Sequence, residues 1–106
     1  MSMNNKFETK SAFVAIVGRP NVGKSTLLMQ ICSELGKTRR VLYVSGEESA
    51  VQIKLRANRL GVDNQNLKLL AETDVEAICE YIRITKPDLV MIDSIQTMRI
   101  AELTSS

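Results

Sequence analysis

Eight residues near the start of the chain, 18–25, form a pattern that binds phosphate groups. They read Gly-Arg-Pro-Asn-Val-Gly-Lys-Ser and satisfy the motif G-x-x-x-x-G-K-[ST]. Gly18 and Gly23 permit a tight turn whose backbone N–H groups can approach an anion closely. Lys24 is expected to contact the β- and γ-phosphates of a nucleotide, and the Ser25 hydroxyl to take a Mg²⁺ position. The motif thus indicates these nucleotide-binding residues: Gly18, Asn21, Val22, Gly23, Lys24, Ser25 and Thr26.

The sequence on either side of this loop predicts a strand before it and a helix after it. Residues 12–17 are an unbroken apolar run, and residues 26–35 carry apolar side chains at helical spacing. A loop between a strand and a helix directs unpaired N–H groups and the positive end of the helix dipole to one point. The alternative is a glycine-rich turn with an exposed lysine, which would hold no nucleotide.

Acidic residues follow two later apolar runs. Glu47 and Glu48 come after the run Val-Leu-Tyr-Val-Ser, and Asp93 ends the run Leu-Val-Met-Ile-Asp. Open α/β sheets bind ligands at the carboxyl ends of their strands. An apolar strand that ends in Asp, downstream of a phosphate loop, is typical of a Walker B motif, whose carboxylate reaches the water shell of Mg²⁺. We therefore predict that Ser25 and Asp93 hold the metal. The two glutamates could instead be solvated residues at a helix start.

Strand and helix patterns alternate along the whole chain, in the order β-α-β-α-β-α-β. This order predicts an α/β fold with a mostly parallel sheet of about four strands and helices on both of its faces. A capping box of Thr73 and Glu76 is expected to open the third helix, and Pro87 to close it. Besides residues 12–17 and 26–35, the predicted elements span residues 41–45, 49–60, 67–71, 73–86 and 88–92.

Two helices carry side chains whose exposure can be predicted. In the helix at 49–60, one face is apolar and the other is basic, and we expect the basic face to be solvated surface rather than a DNA contact. Cys32 and Cys79 each lie on an apolar helix side without a C-x-x-C partner, which favours buried, reduced thiols. The apolar face consists of Ala50, Ile53, Ala57 and Leu60, and the basic face of Lys54, Arg56 and Arg59.

Length and composition limit the class of protein. The 106 residues predict a flexible tail at 1–10 and one partial domain at 11–106. A net charge of +2 is too small to argue for nucleic acid on its own. The sequence has no apolar run long enough to span a membrane and no signal-peptide pattern at its start, so the expected location is the cytoplasm and no membrane partner is expected.

Several segments resemble the RadA/Sms-type bacterial DNA-repair ATPases of the RecA-like P-loop group. They are Val-Leu-Tyr-Val-Ser-Gly-Glu-Glu-Ser at 41–49, Gln-Ile-Lys-Leu-Arg-Ala at 52–57, Leu-Leu-Ala-Glu-Thr at 69–73 and Pro-Asp-Leu-Val-Met-Ile-Asp-Ser-Ile-Gln-Thr-Met at 87–98. The resemblance covers about residues 25–106. It implies ATP and Mg²⁺ as cofactors and DNA as a partner. It also implies that Lys24 and Ser25 bind the nucleotide and metal, that Glu47 orients the attacking water, and that Asp93 is the Walker B acid.

The segment at about 11–28 is instead similar to the P-loop of Era-type ribosome-assembly GTPases. It reads Phe-Val-Ala-Ile-Val-Gly-Arg-Pro-Asn-Val-Gly-Lys-Ser-Thr-Leu from residue 13 to residue 27. Other GTPase motifs are missing, because Asp93 is followed by Ser-Ile-Gln and no Asn-Lys-x-Asp follows the loop. We interpret the chain as a chimera or a truncated fragment. The zinc module and protease-like domain of the RadA/Sms family are absent from it.

Three functional hypotheses follow. The first is a Mg²⁺-dependent ATP-binding module with weak or no hydrolysis, in which Glu48 could replace Glu47. The second is a GTP- or GDP-binding module, favoured by the front segment. The third is a non-catalytic engineered fragment.

The resemblance also raises a question about the sheet. In RecA-like ATPases another strand lies between the P-loop strand and the Walker B strand, and this sequence ends at Ser106, before such a strand. We predict that residues 12–17 pair directly with residues 88–92 and that another chain does not fill the gap. The P-loop strand would then be an exposed edge, which predicts weak self-association.

Overall fold

The computed structural model describes residues 12–16, 22–62 and 66–100. Within these ranges, four strands and three α-helices alternate along the chain, as the sequence predicts. The strands are β1 (Ala12–Ile16), β2 (Val41–Ser45), β3 (Leu67–Ala71) and β4 (Leu89–Asp93), and the helices are α1 (Val22–Leu35), α2 (Ala50–Arg59) and α3 (Val75–Thr85). A single 3₁₀ turn, Ile95–Thr97, follows β4. The predicted tail at 1–10 lies outside the described residues.

All four strands are parallel and lie in the order β1-β4-β2-β3. β1 pairs directly with β4, with Ala12 opposite Leu89 and Ile16 opposite Asp93. The predicted direct pairing of the first strand with the fourth is therefore confirmed. β4 has β2 on its other side, so that Asp93 lies level with Ser45. The carboxyl ends of β1, β4 and β2 thus meet at one edge of the sheet.

The helices cover both faces of the sheet and make the fold three-layered. Side chains alternate along each strand, so Val41 and Tyr43 of β2 face one core and Leu42 and Val44 face the other. The first core contains residues of α1 and α2, among them Met29 and Ile53, and the second contains Ile78 of α3. This arrangement confirms the predicted α/β class with a parallel sheet.

β1 lies at an edge of the sheet and is poorly covered. Its Phe13 side chain is 60% exposed and Val14 is 39% exposed, although both residues belong to an apolar run. The exposed edge agrees with the premise of the self-association prediction, but self-association itself remains a prediction.

Three local predictions were wrong, each for an identifiable reason. Asp74, not Thr73, caps α3, because its carboxylate accepts the backbone N–H of Glu76 at 3.0 Å. Cys79 is exposed while Cys32 is buried, since only part of α3 faces the sheet. Arg56, assigned above to the solvated basic face of α2, is only 5% exposed, and its surroundings belong to the candidate site.

Candidate functional site

The first turn of α1 and the end of β4 meet at the carboxyl edge of the sheet. The hydroxyl of Ser25 donates to the carboxylate oxygen Oδ2 of Asp93 at 2.7 Å. Asp93 is only 5% exposed. A buried carboxylate is costly unless hydrogen bonds satisfy it, and Ser25 supplies one of them. The structure thus joins the two residues that the sequence assigns to the metal, although they lie 68 positions apart.

These two side chains suit Mg²⁺ chemically. A hydroxyl and a carboxylate are hard oxygen donors, and Mg²⁺ in nucleotide sites is usually bound by one or two protein ligands, several waters and the phosphates. A cage of several acidic residues is therefore not required. Within the described ranges, no group of three or more His, Cys, Asp and Glu side chains is placed to hold a metal ion.

The remaining motif residues are only partly described. α1 begins at Val22, four residues earlier than the helical pattern predicts, so Gly23, Lys24, Ser25 and Thr26 all lie in its first turns. This position suits anion binding, because the first N–H groups of a helix have no partner within it. Gly23 and Lys24 are exposed. The predicted ligands Gly18 and Asn21 lie outside the described residues.

Glu47 and Glu48 follow β2 at the same sheet edge but have different surroundings. The backbone N–H groups of both residues point to the hydroxyl oxygen of Ser45, at 3.3 Å and 3.2 Å. The side chain of Glu48 forms an ion pair with Arg56 and is 27% exposed. Glu47 is exposed, and its carboxylate has no hydrogen bond or ion pair with the described part of the chain. Glu47 is therefore the carboxylate that remains available to a ligand.

Arg56 is the main residue of this region that the sequence analysis misassigned. Its Nε donates to Oε2 of Glu48 at 3.1 Å, and its Nη2 contacts Oε1 of the same carboxylate. The helical period contains the signal that was missed: Arg56 follows the buried Ile53 by three residues and precedes Leu60 by four, which places it on the apolar stripe of α2. A basic residue on such a stripe needs a buried partner, and Glu48 is that partner.

Tyr43 connects this ion pair to Asp93. Its hydroxyl donates to Oδ2 of Asp93 at 3.1 Å and lies 3.4 Å from Nη2 of Arg56. The guanidinium carbon of Arg56 is 5.8 Å from the centre of the Tyr43 ring, within the range of a cation–π contact. Tyr43 is fully buried. A continuous polar chain therefore runs from Glu48 through Arg56 and Tyr43 to Asp93.

Ionisation states in this chain follow from burial and from the partners. Burial raises the pKa of Tyr43 to about 12, so its hydroxyl keeps its proton at neutral pH and can donate to Asp93. Burial alone would lower the pKa of Arg56, but its hydrogen bonds to Glu48 and Tyr43 outweigh that effect and the pKa is raised. Arg56 therefore remains a cation in the protein interior.

The segment after β4 packs against Gly46, the first residue of the loop that contains Glu47 and Glu48. A β-carbon at Gly46 would lie 2.0 Å from Oγ1 and 2.6 Å from Cβ of Thr97. Thr97 is held in turn, because its Oγ1 donates to the carbonyl of Ser94 at 2.7 Å. The backbone N–H of Gly46 donates to the carbonyl of Asp93 at 3.2 Å. The loop that contains Glu47 and Glu48 is thus fixed to the residue that ends β4.

Comparison with known proteins agrees with this architecture. A family model described as "AAA domain" matches residues 7–106. The chain belongs to this family, which is a RecA-like P-loop group. Among curated proteins, "DNA repair protein RadA" of Bacillus subtilis is 49% identical over 98 residues, which cover 92% of this chain and 21% of that protein. The protein of the same name from Listeria monocytogenes is 51% identical over 96 residues, covering 90% and 21%.

A more distant relative gives the same result. "DNA repair protein RadA" of Aquifex aeolicus is 46% identical over 97 residues, covering 92% of this chain and 22% of that protein. The chain thus spans about a fifth of the length of these relatives.

The predicted resemblance to the RadA type is confirmed. The Era-type similarity of residues 11–28 and the chimera interpretation remain predictions. None of the described helices is long and apolar enough to cross a lipid bilayer.

Proposed function

We propose that this chain is a Mg²⁺-dependent ATP-binding module with weak or no hydrolysis, comparable to the ATPase core of a DNA-repair protein. The hydrogen bond between Ser25 and Asp93 is the observation that supports it most directly. It unites the phosphate-loop helix and the Walker B strand at one sheet edge, where α/β folds of this kind bind nucleotides.

Each site residue has a distinct role in this proposal. The loop from Gly18 to Gly23 and the start of α1 would bind the phosphates through backbone N–H groups, and Lys24 would add a positive charge. Ser25 and Asp93 would hold Mg²⁺, which when bound neutralises phosphate charge. Glu47 would orient a water molecule for attack on the γ-phosphate.

Calorimetric titration with ATP and with GTP, each with and without Mg²⁺, tests the binding proposal. Lys24→Ala should abolish ATP binding, because it removes a charge from a site built for anions. Lys37→Ala is the matched control: this exposed lysine lies beyond the other end of α1 and pairs with Glu34 at 3.0 Å. Equal ATP affinity in the two variants would contradict the proposal.

The same titration addresses the second candidate, a GTP- or GDP-binding module. The direct pairing of β1 with β4 favours it, because the equivalent strands pair in this way in Era-type GTPases. Tighter binding of GTP than of ATP would replace the first proposal with this one. No binding of either nucleotide would leave the third reading, a non-catalytic fragment.

Hydrolysis is tested separately with a variant of Glu47. Glu47→Gln should keep ATP affinity and lose most turnover, because the amide cannot accept a proton from water while its shape is retained. If the parent hydrolyses ATP measurably, equal turnover in Glu47→Gln would assign the role elsewhere. DNA binding, weak self-association and a cytoplasmic location also belong to the proposal. Similarity to proteins named for DNA repair supports DNA binding, and the exposed β1 strand supports self-association.

A further inference from the structure

The polar chain between Glu48 and Asp93 is buried at its centre. Burying a polar or charged group costs folding stability unless hydrogen bonds satisfy it. Arg56 is 5% exposed and Tyr43 is fully buried. Among the described residues, Nη1 of Arg56 has no hydrogen-bond partner. The guanidinium is therefore incompletely satisfied even with Glu48 and Tyr43 in place. An apolar residue on this stripe of α2 would cost less folding free energy, so the arginine is expected to have a role other than packing.

The chemistry of arginine determines the direction of the hydrogen bond between Arg56 and Tyr43. A guanidinium donates hydrogen bonds and accepts none. At the 3.4 Å contact, Nη2 must therefore donate to the hydroxyl oxygen of Tyr43. The Tyr43 proton is then directed away from Arg56 and toward Oδ2 of Asp93, 3.1 Å away. The Asp93 carboxylate can only accept, so Tyr43 is its donor, and the contact from Arg56 holds the Tyr43 hydroxyl oxygen in the position from which it donates.

The same guanidinium determines which glutamate of the loop is available. Its Nε and Nη2 engage both oxygens of the Glu48 carboxylate, and planar two-point pairing of this kind restricts the side chain strongly. Glu47, the adjacent residue, has no such partner among the described residues and is exposed. One buried arginine therefore contacts the loop with the glutamates and, through Tyr43, the residue at the end of β4.

We propose that Arg56 is a positioning residue of this site: it restrains Glu48 so that Glu47 is the free carboxylate of the loop, and it orients Tyr43 to hold the Asp93 carboxylate. This inference rests on the proposed function for its consequence in metal binding. Its structural part, the restraint of the loop, can be measured without nucleotide.

The nucleotide-free measurement is ¹⁵N relaxation of the backbone amides at 46–49 in the whole chain. The parent should give order parameters of about 0.85, as in rigid backbone. Arg56→Met should lower the values of Glu47 and Glu48 most, because Gly46 and Ser49 keep their own backbone hydrogen bonds to Asp93 and Gln52. Arg59→Met is the matched control, because Arg59 lies on the same helix and is exposed; it should leave these values unchanged. Arg56→Lys should give an intermediate result, since one ammonium group cannot hold both Glu48 and Tyr43.

The second measurement is ADP affinity as a function of Mg²⁺ concentration, with Tyr43→Phe as the variant. This change removes one hydroxyl and keeps the ring, so Tyr43→Phe should fold. It keeps the inference testable even if Arg56→Met does not fold. Removing the hydrogen-bond partner of a metal-site carboxylate typically weakens metal affinity 10–100-fold. We expect the Mg²⁺ midpoint to rise about ten-fold while ADP affinity without Mg²⁺ stays within about two-fold, whereas a merely structural role would change both alike.

Two results would overturn the inference: an unchanged Mg²⁺ midpoint in Tyr43→Phe, or equal loop order in Arg56→Met and Arg59→Met. Failure of the proposed function gives a different result, because the parent itself would then bind no ADP at any Mg²⁺ concentration. In that case the relaxation measurement alone decides whether Arg56 restrains the loop.

Discussion

Replacing Glu48 by alanine should destabilise the protein far more than replacing Glu47. Glu48→Ala leaves Arg56 as a buried cation without its carboxylate, and breaking a buried ion pair by removing one partner costs about 3–5 kcal/mol. The Glu48 side chain is 27% exposed, so water can partly replace it, and we expect the lower end of that range, about 3 kcal/mol.

Glu47→Ala is a closely matched control. Both glutamates lie just before the N-cap of α2, Ser49, so each should contribute a similar favourable interaction with the helix dipole, on the order of 0.3–1 kcal/mol. That contribution cancels when the two variants are compared. Glu47 is exposed and makes no ion pair with the described residues, so Glu47→Ala should cost no more than about 1 kcal/mol.

Urea unfolding followed by far-UV circular dichroism measures both variants. With a denaturant slope of about 1.5 kcal/mol per molar, a loss of 3 kcal/mol shifts the midpoint by about 2 M. Adding Arg56→Met to Glu48→Ala should recover part of the loss, because the unpaired charge is removed together with its partner. Equal midpoints for the two alanine variants, or strictly additive costs in the double variant, would refute the description of Arg56 as a buried cation that depends on Glu48.

Three further predictions concern other contacts. Gly46→Ala should cost about 1–3 kcal/mol of unfolding free energy, since the new methyl group meets Thr97 Oγ1 at 2.0 Å; Thr97→Gly in the same chain should restore part of the loss, and an unchanged urea midpoint for Gly46→Ala alone would contradict the packing. Cys79 is exposed and Cys32 buried, so a thiol reagent at pH 8 should label one cysteine rapidly and the second only on unfolding, and rapid labelling of both would exclude a buried Cys32. Burial raises the pKa of Cys32 from 9.0 to about 11; since the unfolded thiol ionises first, stability should be nearly unaffected well below pH 9 and fall by about 2 kcal/mol between pH 9 and 11, and a Cys32→Ala variant that loses as much stability over the same interval would refute that assignment.

Much of the fold could be predicted because local patterns and global topology agree in this chain. β2 and β3 have the predicted bounds, since each is a short apolar run between clear helix patterns. Ser49 caps α2 as expected for its type, with Gln52 completing the capping box. Gly61 ends that helix with a φ of 69°, a backbone conformation that glycine adopts at little cost.

The burial of α3 and β1 could not be predicted from local patterns. Cys79 follows the buried Ile78 directly. An apolar helix stripe about 100° wide does not indicate which of the residues along its margins contact the sheet and which are exposed. Phe13 and Val14 lie in a run as apolar as that of β2, but β1 has a neighbour on one side only. Side-chain exposure in that strand depends on what packs beside it, which its own residues do not encode.

The buried Arg56 shows why the site was harder to predict than the fold. Lys54 and Arg59, its neighbours in sequence, are exposed, as basic residues on a helix usually are. What distinguishes Arg56 is a carboxylate eight residues earlier and a hydroxyl thirteen residues earlier, and neither distance corresponds to a helical period. The packing of α2 on β2, where Ile53 and Ala57 share a core with Tyr43, brings Arg56 to these two groups. The parallel pairing of β2 with β4, which sets Ser45 opposite Asp93, adds the Asp93 carboxylate. Residue type predicts which side chains can hold a phosphate or a metal, whereas the side chains that orient them depend on how α2 packs on β2 and on the register of β2 with β4, which the residues of α2 alone do not encode.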